Sequence, residues 1–381
     1  MTGREKIEAA FSADGTPEIP VVICYENIYV RDHWSQLTDH VWWHRIEPDI
    51  DRQMAWRRDV IERTGQDWFV LPGGYSRRDR ERLGFETDGS RVYQVNRDIG
   101  DRHELQEPMV SGWGVPGTQH SVHPEYLPLS QTELDERIPL PRPADLEQMR
   151  ADGCHDLPDR LVREFGAHYA PSGAVSSPLW GCYGLWGFEG MMTLVADRPD
   201  LVAHAGERFL QQRLPGIREA AERGVRVVWI EECLTDMIGP DPFKKINLPL
   251  VRRIVDEIRA CGILSIYYYC GDPTGKWDAL LDAGADALSL EESKKGFDID
   301  IDDVVSLVDG RCAVLGNLDA IGILQNGTED ELRGEIERQI RAGRRNGDRF
   351  IMSTGSPVTP ETPVERVRRY CDMARDIGVS R

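Results

Sequence analysis

The 381-residue chain reads as an α/β protein, a (β/α)₈ TIM barrel with a β-meander or lid inserted in its N-terminal half. Three observations predict this. Eight short apolar, β-branched or aromatic runs can be strands: 19–24, 68–71, 174–178, 225–230, 263–269, 285–290, 312–315 and 349–352. From the third onward most gaps carry a segment of helical period, which implies parallel pairing through right-handed crossovers. No repeat or low-complexity linker divides the chain, so a single domain is expected over 1–381, and that length suits an α/β barrel.

The second half supports its helices in detail. Within 250–261, Val251, Ile254, Val255 and Ile258 share one face, and Gly262 follows as a left-handed stop. Thr328 and Glu331 have capping-box spacing and open a helix through Ala342. Thr362, Pro363 and Glu365 repeat that spacing, with proline at the first helical position; Val364, Val367, Cys371 and Ala374 would then face inward. The segment from about 75 to 145 differs. It is rich in Gly, Pro and Trp, with short alternating runs such as Arg91-Val-Tyr-Gln-Val95, and is expected to be the insertion. Over 76–83 arginines alternate with acids, as on a solvated helix face.

Composition narrows the partners. Apolar residues at 40% and charged ones at 29% describe a globular chain and not a disordered one. The net charge of −19 counts against nucleic acid, anionic membranes and polyanionic ligands. No apolar run approaches the roughly 18–20 residues that span a bilayer. The first twenty residues read as a charged helix and a Gly-Thr-Pro turn, unlike a signal peptide. Eight cysteines are scattered without a Cys-x-x-Cys pair, which suggests reduced thiols and a cytoplasmic location. The nine histidines give a weak metal signal.

In a barrel of this kind the working residues come from strand C-termini. Those positions hold Glu26 and Asn27; Glu231, Glu232 and Cys233; Tyr268, Cys270 and Asp272; Glu291 and Glu292; Asn317 and Asp319; Ser353 and Ser356. Any one of them can be polar simply because strand ends meet water; the recurrence is the signal. Cys270 ends an aromatic run, either as a small buried hydrophobe or as a thiolate ligand or nucleophile. Glu291 follows one βα unit later, where the two could converge on one cation or proton. Glu231 and Glu232 are adjacent, so only one can face the mouth; the other is expected to be solvated or to cap the next helix. Asp319 suits turn chemistry, acid–base work or substrate anchoring. Trp180 and Trp186, in a stretch rich in Gly and aromatics, are either loop packing or an apolar pocket wall.

Four stretches carry a family resemblance. They are Tyr268-Tyr-Cys-Gly271, Gly284-Ala-Asp-Ala-Leu-Ser-Leu-Glu291, Gly316-Asn-Leu-Asp-Ala320 and Ser353-Thr-Gly-Ser-Pro-Val-Thr-Pro-Glu-Thr-Pro363. In order and spacing they resemble the strand-end loops of the uroporphyrinogen decarboxylase superfamily, which includes corrinoid-dependent methyltransferases. The resemblance covers most of the chain, is strongest after about 170, and implies the same barrel. The decarboxylase branch holds an octacarboxylate with arginines near its first strand. Here 24–33 has one arginine and two acids, so haem-pathway decarboxylation is not expected. The methyltransferase branch implies zinc held by His-x-Cys and a later Cys, joined in related barrels by a glutamate. Cys270 and Glu291 match and would be the metal ligands, whereas Tyr268 stands at the histidine position and Ser356 at the late cysteine; the alternative is a weaker or differently composed site that draws on Glu231, Glu232 or Cys233.

The resemblance thus implies a methyltransferase that moves a methyl group between a small substrate and a corrinoid or thiol acceptor, the corrinoid carried by a partner protein. Glu231 or Glu232 would act as acid or base and Asp319 would position the substrate. Glu26, Asn27, Trp180, Trp186, Asn317 and Ser356 would line the substrate site. One alternative is a metal-free decarboxylase or lyase on a small carboxylated substrate, with Tyr268 and Asp319 as proton donors. Another is a non-catalytic accessory barrel that binds a corrinoid protein. The sequence leaves the substrate and any homo-oligomer open.

Overall fold

The computed structural model describes residues 1–112, 122–141, 144–293 and 296–379. Its strands are β1 (Trp68–Val70), β2 (Leu83–Asp88), β3 (Arg91–Asn96), β4 (Asp101–Leu105), β5 (Ala170–Ser176), β6 (Val227–Glu232), β7 (Leu264–Tyr269), β8 (Ala287–Leu290), β9 (Ala313–Leu315) and β10 (Phe350–Ile351). Seven of them form one curled parallel sheet in the order β1-β5-β6-β7-β8-β9-β10, an α/β arrangement consistent with a TIM barrel. No helix among the described residues is long and apolar enough to cross a membrane.

The eighth expected strand, 19–24, lies between the two ends of this sheet but pairs only as an isolated bridge, Val21 with Met352. Val22 N–H donates to Met352 O (2.8 Å), Met352 N–H to Pro20 O (2.9 Å), and Asp67 N–H to Val21 O (2.8 Å). The reason the ladder stays incomplete is chemical. Pro20 has no N–H, and the N–H groups of Val21 and Ile23 are taken by the side chains of Asp67 (2.7 Å) and Gln66 (3.1 Å).

Asp67 is the centre of this seam. Its buried carboxylate also accepts from Lys6 Nζ (2.9 Å) and from Arg375 Nη2 (3.0 Å), so the first and last helices meet on one side chain. The first helix, Gly3–Phe11, opens with a Thr2–Glu5 capping box and turns Ile7, Ala10 and Phe11 into the apolar interior beside Val22, Trp68 and Val227. Arg4 N–H donates to His168 O, just before β5, which fixes this helix across the N-terminal ends of the strands.

Several boundaries differ from the sequence expectation. β5 begins at Ala170, because Ala170 to Ser172 pair with β1, and it ends before Ser177, whose Oγ caps the next helix at Trp180 N–H. The glycine- and aromatic-rich stretch 180–187 is not a loop. It lies in the helix Pro178–Asp197, broken at Gly187 (φ 68°), and Trp186 is wholly buried in the core. The Thr328–Glu331 capping box is present, and Gly262 (φ +72°) follows the helix Leu248–Ala260. At the last helix, Val364–Val379, the Thr362 hydroxyl pairs with Thr359 Oγ1 (2.8 Å) and the Val364 N–H is capped from across the chain by Gln36 (3.2 Å). Within 75–145 an antiparallel sheet, β2-β3-β4, occupies only 83–105. Helices Arg77–Arg82 and Gln131–Arg137 flank it in sequence, and 113–121 and 142–143 lie outside the described residues. Phe85 stacks on Trp43 (5.6 Å, 8°), which ties this small sheet to the body.

β6 runs on to Glu232, pairing Glu231 with Tyr268 and Glu232 with Tyr269. Glu232 points outward from the sheet and is fully buried. It accepts from Ser177 Oγ (2.7 Å), Asn247 Nδ2 (2.6 Å) and Tyr267 OH (3.1 Å), and so clamps the helix after β5 to the helix after β6. Burial pushes its carboxyl up to about 7 against these donors.

Two outcomes follow from these contacts. Asp67→Asn leaves Lys6 and Arg375 without their shared carboxylate and should lower the unfolding free energy by about 3–5 kcal/mol, measured in urea. Glu232→Ala strands three donors and should cost about 2–4 kcal/mol. The native Glu232 holds a proton that the unfolded chain releases between pH 4.5 and about 7, so its contribution to stability falls as pH rises through that window. Glu232→Gln should flatten that part of the pH–stability curve.

Candidate active site

Side chains alternate along β6 and β7, so Trp229, Glu231, Tyr268 and Cys270 turn toward the interior while Glu232, Tyr267 and Tyr269 turn toward the helices. The rings of Trp229 and Tyr268 are 5.0 Å apart. Tyr25 meets both edge-on, at 6.3 and 5.5 Å. Its backbone is left-handed (φ 53°), and this turns the seam segment into the short helix Glu26–Asp32. The Tyr25 hydroxyl lies 3.3 Å from Cys233 Sγ.

Cys233 and Cys270 lie one residue beyond the last register pair of β6 and β7, Glu232 with Tyr269. Cys270 N–H donates to Glu232 O (2.9 Å), and both side chains join the same interior cluster. Burial first, and then the Cys270 thiol, push Cys233 well above the usual thiol range. Burial likewise holds the Tyr25 phenol well above its ordinary value, with Cys233 and Glu231 adding to it. Glu231 is half-buried, and burial alone pushes its carboxyl up to about 7. Trp180 packs against the same interior. The result is a compact group of one carboxyl, two thiols and two phenols within aromatic walls.

The other expected site residues lie elsewhere or are engaged. Asp319 caps the turn at Ala320–Gln325, accepting from Ile321 and Gly322 N–H (2.9 and 2.8 Å), which is turn chemistry. Glu26 is buried against Gln66 and Val70 N–H (3.2 Å), and burial pushes it to about 7. Asn27 is exposed on its helix. Asn317 Nδ2 donates to Glu291 O (3.2 Å) and Ile299 O (2.7 Å), so it braces the loop after β8. Trp186 belongs to the core behind the site. Two members of the group, Tyr25 and Trp229, carry no strand-end polarity in sequence.

The ligand set that the resemblance implies for zinc is incomplete here. The Tyr268 hydroxyl donates to Gly355 O (3.0 Å) and Ser356 Oγ to Glu292 Oε2 (2.8 Å), so both positions that would need soft ligands carry hydroxyls already bound within the protein. Among the described residues no three His, Cys, Asp or Glu side chains are grouped as a metal ion requires. His40 and His44 form a His-x-x-x-His pair, but their Nδ1 atoms face each other at 3.3 Å, away from the mouth cluster.

Comparison with known proteins agrees with this architecture. The uroporphyrinogen decarboxylase (URO-D) family matches residues 121–377. A uroporphyrinogen decarboxylase of Solibacter usitatus is 27% identical over 154 residues, 40% of this chain and 42% of the relative. A methylcobamide:CoM methyltransferase of Methanosarcina mazei is 23% identical over 141 residues, 37% of this chain and 38% of the relative. The chain thus covers about two-fifths of the length of these curated relatives. A solved methyltransferase structure from Methanosarcina mazei superposes with a TM-score of 0.64 at 16% identity, over 99% of this chain and 98% of that one, and so shares the fold. The chain belongs to the uroporphyrinogen decarboxylase (URO-D) family.

Proposed function

We propose that this protein is a methyltransferase on a (β/α)₈ barrel, moving a methyl group between a small substrate and a corrinoid or thiol acceptor. The observation that carries the reading is Glu231, a carboxyl lifted to about 7 by burial beside the Cys233–Tyr25 contact at the end of β6. A group so tuned is matched to taking up or giving back a proton near neutral pH. The relative named a methylcobamide:CoM methyltransferase supports the reaction class.

In the forward sense the acceptor thiol loses its proton to the Glu231 carboxylate. The sulfur then forms its bond to the methyl carbon, and the donor leaves with the electron pair. A corrinoid, brought as a substrate on a partner protein, supplies or takes the methyl group. Trp180, Trp229, Tyr25 and Tyr268 exclude water from the sulfur, which strengthens its contact with Glu231. Cys270, half-buried at the end of β7, positions the acceptor from the neighbouring strand. The lyase reading has less to draw on, because Tyr268 and Asp319 are both committed to backbone partners.

The test is methyl transfer from methylcobalamin to a panel of small thiols, followed against pH. Glu231 works in its ionised form, so the rate should rise with pH through about 7 and then level. Glu231→Gln should lose roughly 10²–10⁴-fold in rate together with that rising limb. A Glu231→Gln protein with the wild-type rate and profile would discard the role. Binding of methylcobalamin without turnover on any thiol would favour an accessory barrel, and release of CO₂ from small carboxylates would favour the lyase.

A further inference from the structure

We propose that Cys233 and Cys270 are a redox-reactive thiol pair that closes to a disulfide across the barrel mouth when the protein meets a hydroperoxide. The argument is geometric. The two residues extend the β6–β7 register by one position, and the Cys270 N–H bond to Glu232 O holds that register to the end. Adjacent strands run about 4.7–4.9 Å apart, within the Cα separation of about 4.4–6.8 Å that a disulfide needs. Both side chains turn to the same interior face and belong to one buried cluster.

The loops that carry them are locked to each other. Gly271 has φ +109°, and a Cβ there would stand 2.5 Å from Asp236 Cβ, so only glycine allows this approach. Lys276 Nζ donates to Asp236 O (2.8 Å), and Gly275 sits against Pro240. The thiols are therefore held together by backbone packing on both sides, independently of any ligand.

Exposure sets the order of events. Cys270 is half-buried and Cys233 has no exposed surface, so an oxidant reaches Cys270 first. The peroxide transfers an oxygen to Cys270, giving a sulfenic acid and water or an alcohol. The Cys233 sulfur then attacks the Cys270 sulfur, the S–O bond breaks, and hydroxide leaves with the Cys233 proton as a second water. Two thiols are oxidised and one peroxide is reduced. Because Cys233 is wholly buried, it serves as the resolving partner and not as the first target.

The test uses the reduced full-length protein, hydrogen peroxide near stoichiometry, alkylation of remaining thiols, and peptide mass spectrometry. The expected result is a peptide joining Cys233 to Cys270, lighter by two hydrogens and released by dithiothreitol. In Cys233→Ser the cross-link should vanish and Cys270 should go on to the sulfinic acid. Wild-type protein in which Cys270 reaches the sulfinic acid without a cross-link would overturn the proposal. So would protein in which both thiols remain alkylatable, or in which either one pairs with a different cysteine. The readout does not involve methyl transfer, so it stands or falls apart from that reading.

Discussion

One buried carboxylate holds the two ends of the chain and the two edges of the sheet together. Asp67 begins the approach to β1 and receives Lys6 from the first helix, Val21 N–H from the seam segment and Arg375 from the last helix. Its two cationic partners and a backbone donor offset the desolvation that would otherwise make a buried acid costly. Everything at the mouth depends on this closure. Tyr25 leaves the seam only four residues after Val21, and it reaches Cys233 on β6 because the seam is drawn against β1 and β10. Without that closure the aromatic contacts of Tyr25 with Trp229 and Tyr268 would have no basis.

Three carboxyls sit in surroundings that raise them to about 7, but for different purposes. Glu26 accepts from Gln66 and Val70, and Glu232 from Ser177, Asn247 and Tyr267. Both are braces whose hydrogen bonds partly offset their burial. Glu231 differs because burial is the only cause of its shift. No hydrogen bond offsets that burial as it does for the two braces, a difference that the net charge of −19 does not reveal.

Much of the sheet was legible because parallel strands buried on both faces read as plain apolar runs, as over 263–269 and 312–315. That same property hid the side-chain phase. Period two says that Glu231 and Glu232 part company, but not which one turns inward when both faces are apolar. It also gave no hint that Glu232 would be buried among partners from two helices. Strand-end polarity found Glu231, Cys233, Tyr268 and Cys270, which the structure does bring together. It also picked Asp319, whose hydrogen bonds serve its own turn, and Asn317 and Ser356, which brace the segment after β8. Local sequence cannot show whether a polar side chain satisfies the backbone beside it or waits for a ligand. The incomplete seam strand was hidden for a related reason, since its donors are taken by side chains more than forty residues away.

The first helix has a consequence for traffic. Ile7, Ala10 and Phe11 stopper the end of the barrel opposite the mouth. The interior is therefore closed at that end, so any ligand reaches it, and leaves it, from the C-terminal ends of the strands.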